Sequence, residues 1–154
     1  MGFWIILPAM LTKSFIRIFV SSCVLAAAYA FAQDKDKAPI DPKLLPPAST
    51  KQGVTYAADI QPIFQKSCYP CHSVKNPKPK GKLRLDSLDA VLKGGEDGLV
   101  LVPGDSAKSV MVAQVSHAGD PDDYMPPPKN KDHIQPLTKE QIGLIRAWID
   151  QGAK

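Results

Sequence analysis

The sequence has few cysteines and few large aromatic side chains. Of its 154 residues 3 are cysteines, and four of its five phenylalanines lie within the first 32 positions. The aromatic residues that remain after position 32 are Phe64, Trp148, Tyr56, Tyr69 and Tyr124. A domain of about 100 residues with so few large side chains builds a thin core. A flat apolar group from outside the chain would supply the missing interior.

Long apolar runs, internal repeats and a strong net charge are also absent. The apolar run over residues 18–32 is shorter than the ~20 residues that span a bilayer. The chain has 19 basic and 15 acidic residues, and removal of Lys13 and Arg17 with a signal leaves a net charge near +2. Such a charge indicates neither a nucleic-acid partner nor a strongly attracted membrane surface.

The first 32 residues predict an export signal, and we expect a periplasmic protein. Lys13 and Arg17 precede the apolar run, and small residues favour cleavage after residue 32. Two alternatives are a lipoprotein box ending at Cys23 and an uncleaved N-terminus that tethers the protein to the membrane. Met10 is a second candidate start.

The most informative motif is the run C-Y-P-C-H at residues 68–72. Two cysteines three apart, followed directly by a histidine, form the attachment signature of c-type haem. At this spacing both thiols lie on one face of a helical turn, where they can form thioether bonds to one porphyrin. We therefore predict one covalent haem c, attached through Cys68 and Cys71 and ligated by His72.

Zinc binding and dithiol redox chemistry are the alternatives for this motif. A zinc site needs two further thiol or imidazole ligands, and a thioredoxin-like pair needs a βαβ context. Neither pattern is present, since no cysteine follows Cys71 and the later histidines are not spaced as a ligand pair. Cys23 leaves with the signal, so no disulfide is expected.

Three segments are predicted: a signal peptide over residues 1–32, a flexible tether over residues 33–52 and one monohaem domain over residues 53–154. The tether contains four prolines among charged and small residues and has no apolar periodicity. Residues 75–82 form a basic loop with four lysines, Lys75, Lys78, Lys80 and Lys82. This loop is either simply solvated or a docking patch for an acidic redox partner.

Helical patterns dominate the domain. Thr55 is predicted to cap a first helix with Ile60, Ile63 and Phe64 on its apolar face. Asp86 is predicted to cap a helix over residues 87–93, and another helix should run from residue 105 or 106 to about residue 116.

The last helix carries the clearest signal of its start. Thr138 and Gln141 form a capping box, and an apolar stripe that includes Ile145 and Trp148 ends at Gly152. Between the last two helices, residues 119–130 contain four prolines and are predicted to be loop.

A second axial ligand decides between electron transfer and ligand chemistry at haem iron. The candidates are Met111, Met125, His117 and His133. Met111 lies in an apolar helical pattern typical of core filling, and the two histidines lie in polar loops, where we expect them to face solvent. Met125 precedes three prolines that stiffen the loop, and this position favours it as the ligand.

The chain resembles class I c-type cytochromes and is most similar to the planctomycete-type cytochrome c domain. The motifs that carry the resemblance span about 100 residues: D-I-Q-P-I-F at 59–64, C-Y-P-C-H at 68–72, L-R-L-D at 83–86, G-G at 94–95, V-P-G-D at 102–105, Ser109, M-P-P at 125–127, W-I at 148–149 and G-A at 152–153. The resemblance implies thioether links at Cys68 and Cys71, with His72 and Met125 as the axial ligands. It also implies an all-α cytochrome c fold with the N-terminal and C-terminal helices packed together.

These observations predict an electron carrier and not an enzyme. The iron would shuttle single electrons between a donor and an acceptor protein, with transient partner contacts. One alternative is a haem enzyme or gas-binding protein with an open distal site, and another is a membrane-tethered subunit of a redox complex.

Overall fold

A computed structural model of the chain describes residues 41–154. The predicted signal, its alternatives and residues 33–40 of the predicted tether lie outside this range. Within it the structure is helical and contains no strand, with four α-helices: α1 Gln61–Ser67, α2 Leu88–Lys93, α3 Val110–Val115 and α4 Lys139–Asp150. The all-α prediction is confirmed. No helix of residues 41–154 has the length and apolarity to cross a membrane.

The first helical segment begins at the predicted cap. The Thr55 side chain accepts a hydrogen bond from the amide of Ala58, and a π-helical turn follows over Tyr56–Ile60. Helix α1 continues from this turn with Pro62 within its first two residues, where the missing amide hydrogen costs nothing. Pro62 therefore fits in the helix, and the wider turn precedes it.

Helix α2 differs from the prediction at its N-terminus. Ser87, not Asp86, caps it by accepting a hydrogen bond from the amide of Ala90. The Asp86 carboxylate instead accepts the amide of Val74 at 2.7 Å, directly before the basic loop begins. The predicted end at Gly94 is confirmed, and this glycine has a φ of 79°.

The third predicted helix is divided in two. A 3-10 turn, Ser106–Lys108, is capped by Asp105, and α3 starts only at Val110. The interruption is at Ser109, whose buried hydroxyl donates to the Asp105 carbonyl and accepts the amide of Val102. Side-chain bonds of this kind compete with the helical backbone.

Helix α4 starts as predicted and completes the core. The Thr138 hydroxyl accepts the amide of Gln141, and the Gln141 side chain accepts the amide of Thr138, which confirms the capping box. Trp148 is fully buried and meets Phe64 of α1 edge to face, with ring centroids 6.5 Å apart. Tyr56 lies against both rings, at 6.3 Å from Phe64 and 6.0 Å from Trp148. The predicted packing of the first and last helices is confirmed.

Residues 41–52, the described part of the predicted tether, lie along α4. Leu45 is buried in the core, the amide of Ser49 donates to the Gly143 carbonyl at 2.8 Å, and Arg146 donates to the Pro46 carbonyl. At the other end, Gln151 donates to the Lys51 carbonyl and accepts the amide of Val54. We call residues 45–52 the strap, and these contacts distinguish it from the flexible segment that we expected.

We expect Gly143→Ala to lower the free energy of unfolding by about 1 kcal/mol or more, because a Cβ at this position would lie 2.7 Å from the Pro47 carbonyl oxygen. Helix propensity alone would raise the free energy of unfolding by about 1 kcal/mol. The sign of the measured change in this free energy therefore decides whether the strap is held against α4. Chemical denaturation measures it.

A double-mutant cycle with Leu45→Ala provides the control. Loss of the buried Leu45 anchor should let the strap move, so Gly143→Ala should then cost less than it does in the parent protein. A stabilising Gly143→Ala in the parent would mean that the strap leaves α4 freely.

Candidate functional site

Helix α1 delivers the C-Y-P-C-H motif at its C-terminus. Cys68 follows the last helical residue, and its amide donates to the Phe64 carbonyl at 2.7 Å. The Cys68 carbonyl in turn accepts the amides of Cys71 at 3.1 Å and His72 at 2.9 Å. One carbonyl thus gathers the two thiol-bearing residues and the histidine into a single tight turn, as the spacing predicts.

The two thiols are free and partly buried. Burial raises the pKa of Cys68 to about 12, and the neighbouring Cys71 adds to the rise. Reactive and metal-binding cysteines have lowered pKa values, because the thiolate is the nucleophile and the ligand. Without a bound group, the Cys68 thiol is therefore protonated.

His72 is oriented by a main-chain acceptor. Its Nδ1 lies 3.2 Å from the carbonyl oxygen of Leu83, and a carbonyl only accepts, so Nδ1 carries the hydrogen. The lone pair is then on Nε2, the atom available to a metal. Burial of the ring lowers the pKa of His72 and favours the neutral imidazole, which is the form that ligates iron.

The Leu83 carbonyl is itself held in place. The amide of Leu85 donates to the His72 carbonyl at 2.8 Å, so residues 83–85 run beside the motif. The hydroxyl of buried Tyr56 donates to the Leu85 carbonyl at 2.8 Å, and burial raises the pKa of this phenol, which keeps the donor protonated. Sequence reasoning missed Leu83, because a main-chain acceptor leaves no residue-type signal.

The basic loop is closed against the same turn. The Cys71 carbonyl accepts the amide of Lys80 at 3.3 Å and the Asn76 side chain at 3.2 Å. All four lysines of the loop are exposed. Among residues 41–154, only Lys82 of these four lysines has an ion-pair partner: its Nζ lies 3.3 Å from Oε2 of Glu96.

The two candidate methionines lie in different environments. Met111 is buried in α3 and belongs to the hydrophobic core. Met125 is partly buried, packs against the core that Cys68 and Leu83 also contact, and its amide donates to the Gln114 carbonyl at 3.0 Å. It lies in the loop predicted over residues 119–130, which contains one 3-10 turn, Pro121–Asp123.

The two candidate histidines also differ, and the expectation that both face solvent was wrong for one of them. His133 is exposed. His117 is partly buried, its ring stacks on Tyr124, and its Nε2 is buried without a hydrogen-bond partner among the described residues. Both histidines line a cavity of about 300 Å³ whose walls include Pro126, Pro127 and Pro128.

The residues present fit a haem. The motif supplies two thiols and one imidazole whose Nδ1 is bound to the Leu83 carbonyl, which is the donor set that haem c requires. Two further buried polar atoms in residues 41–154, the Tyr69 hydroxyl and Ser116 Oγ, also have no hydrogen-bond partner. The Tyr69 hydroxyl, inside the motif, lies beside that of Tyr56 without an aligned hydrogen bond. Buried polar groups of this kind are normally satisfied by a protein group or an ordered water.

Comparison with known proteins agrees with this donor set. Residues 68–129 match the family model described as planctomycete cytochrome C. The matched segment starts at the first cysteine of the motif and includes His72, Met111 and Met125. No curated protein and no solved structure matches the chain.

Proposed function

From the premise that residues 68–129 form a c-type cytochrome-like domain, we propose that this protein is a monohaem electron carrier. The observation that carries the proposal is the His72 imidazole, whose Nδ1–H is bound to the Leu83 carbonyl directly after two free thiols. Nε2 of His72 is the proximal ligand of the iron. When bound, haem supplies an iron that cycles between the ferric and ferrous states.

Cys68 and Cys71 attach the cofactor. Their two sulfur atoms would hold the haem through thioether bonds to its two vinyl groups. Both thiols are free, and Cys68 stays protonated because its burial raises the pKa to about 12. The tight turn around the Cys68 carbonyl supports one attachment site for one haem.

Met125 is the distal ligand. It is held at its amide by Gln114 and packs against the core that Cys68 and Leu83 also contact, whereas Met111 is already buried as part of that core. A thioether stabilises ferrous iron, so His/Met ligation raises the reduction potential relative to two imidazoles. His72 and Met125 would together fill both axial positions of a bound iron and leave no open position for a substrate, which is why we propose a carrier and not an enzyme.

The carrier works in the periplasm and exchanges electrons with proteins that dock at the basic loop, residues 75–82. The export signal read from residues 1–32 supports this location. Three exposed lysines of the loop stand without an ion-pair partner among residues 41–154, and the loop is bonded to the Cys71 carbonyl. Their charge next to the haem motif favours a partner with an acidic surface.

Covalent attachment is tested by acid-acetone extraction followed by intact mass. We expect haem to stay with the protein, and Cys68→Ser and Cys71→Ser each to keep one link and to mature poorly. Cys23→Ser is the control, since that cysteine lies outside the motif and should not matter. Haem that leaves the parent protein in the organic phase would contradict the proposal.

Distal ligation is tested by comparing Met125→Ala with Met111→Ala. The ferric parent should show the weak far-red sulfur-to-iron absorption band, and Met125→Ala should abolish it, lower the potential and let carbon monoxide bind the ferrous iron. Met111→Ala should keep the band and lose packing stability of about 2–5 kcal/mol. A band that survives in Met125→Ala would transfer the role to Met111.

Docking is tested by the salt dependence of electron transfer to the isolated partner. The rate should fall as salt rises, and Lys78→Glu/Lys80→Glu should flatten this dependence. Lys43→Glu/Lys139→Glu is the matched control, because it changes two exposed lysines outside the loop by the same charge. Equal effects of the two double variants would leave only a solvated loop.

A further inference from the structure

The segment that carries Met125 is fastened to the end of α3 by two aromatic rings. His117 lies two residues after α3, and Tyr124 directly precedes Met125. Their rings stack with centroids 4.5 Å apart and planes only 5° from parallel. A stack of this kind stabilises the contact beyond the area that it buries.

A shared carbonyl makes a second connection at the same place. The Gln114 carbonyl accepts both the amide of His117 at 3.2 Å and the amide of Met125 at 3.0 Å. The Tyr124 hydroxyl also donates to the Gly119 carbonyl at 3.3 Å, which closes the intervening loop. The backbone of Met125 is therefore bonded to the helix while the ring next to it is stacked on the helix end.

The position of His117 after α3 is unfavourable both for its backbone and for its side-chain Nε2. Its φ of 53° is left-handed, and its Nε2 is buried without a hydrogen-bond partner among the described residues. Glycine would end the helix here without the steric penalty. The stack on Tyr124 is the favourable contact that the imidazole gains in return, and this contact acts on the residue before Met125.

We propose that His117 and Tyr124 are positioning residues that hold the Met125 thioether against the haem iron. This inference rests on the proposed ligation by Met125. With the loop fastened at both its backbone and its side chain, the ligand stays in place in both oxidation states, and exogenous ligands reach the iron only when the loop opens.

The test uses the holoprotein and measures the rate at which cyanide binds the ferric iron, together with the far-red band and the melting temperature. Tyr124→Leu and His117→Gly both remove the stack, and the glycine suits the left-handed backbone. Each should raise the cyanide-binding rate about three- to tenfold and weaken the far-red band, with covalent haem retained. Tyr124→Phe keeps the stacked ring and loses only the hydroxyl bond to the Gly119 carbonyl, so it should raise the rate clearly less than Tyr124→Leu does.

Two controls keep this inference separate from the ligation proposal. If the parent lacks the far-red band, Met125 is not the ligand and both proposals fail. If the parent has the band and the two stack-removing variants match its cyanide rate, only the positioning role fails. Gly143→Ala is expected to destabilise the fold away from the loop, so an equal rise in that variant would assign the effect to global unfolding and overturn the inference.

Discussion

The edge-to-face contact between Phe64 and Trp148 is the interaction on which the rest of the domain depends. It joins α1 to α4, the two segments that are farthest apart in the sequence among the four helices. Both side chains are fully buried. Loss of either ring would leave a cavity between the helices, because the chain has few other large side chains to fill it. The C-Y-P-C-H turn begins four residues after Phe64, so this contact also sets the position of the motif.

Tyr56 connects the contact between Phe64 and Trp148 to His72. Its ring packs against Phe64 and Trp148, and its hydroxyl donates to the Leu85 carbonyl. The Leu85 amide reaches the His72 carbonyl, and the Leu83 carbonyl two residues earlier accepts Nδ1 of His72. The aromatic core thus helps to fix the tautomer of an imidazole that lies outside it, and a buried ring is coupled to the proposed proximal ligand.

The features that the sequence predicted correctly are those that depend on neighbouring residues. The capping box at Thr138, the end of α2 at Gly94 and the C-Y-P-C-H turn each depend on residues within a few positions of one another. Nonlocal partners could not be predicted. The strap is held along α4 by hydrogen bonds to main-chain carbonyls, and such bonds cannot be recognised from residue types. Its prolines, considered alone, predict a flexible linker. Asp86 was assigned to the nearest helix start, but its partner, the amide of Val74, lies twelve residues earlier.

The few aromatic residues are distributed unequally between the surroundings of His72 and those of Met125. Of the five aromatic residues after position 32, three form the contact between the first and last helical segments, and Tyr69 lies inside the haem motif. The fifth, Tyr124, stacks on His117 beside the proposed distal ligand. The proposed proximal ligand, His72, is therefore connected to the aromatic core through Leu83 and Tyr56, whereas Met125 packs at the edge of the core and is held there by one stack and one shared carbonyl. Because the attachment of the Met125 segment is the weaker of the two, the proposed ligation predicts that ligand exchange begins at Met125 while His72 stays bound.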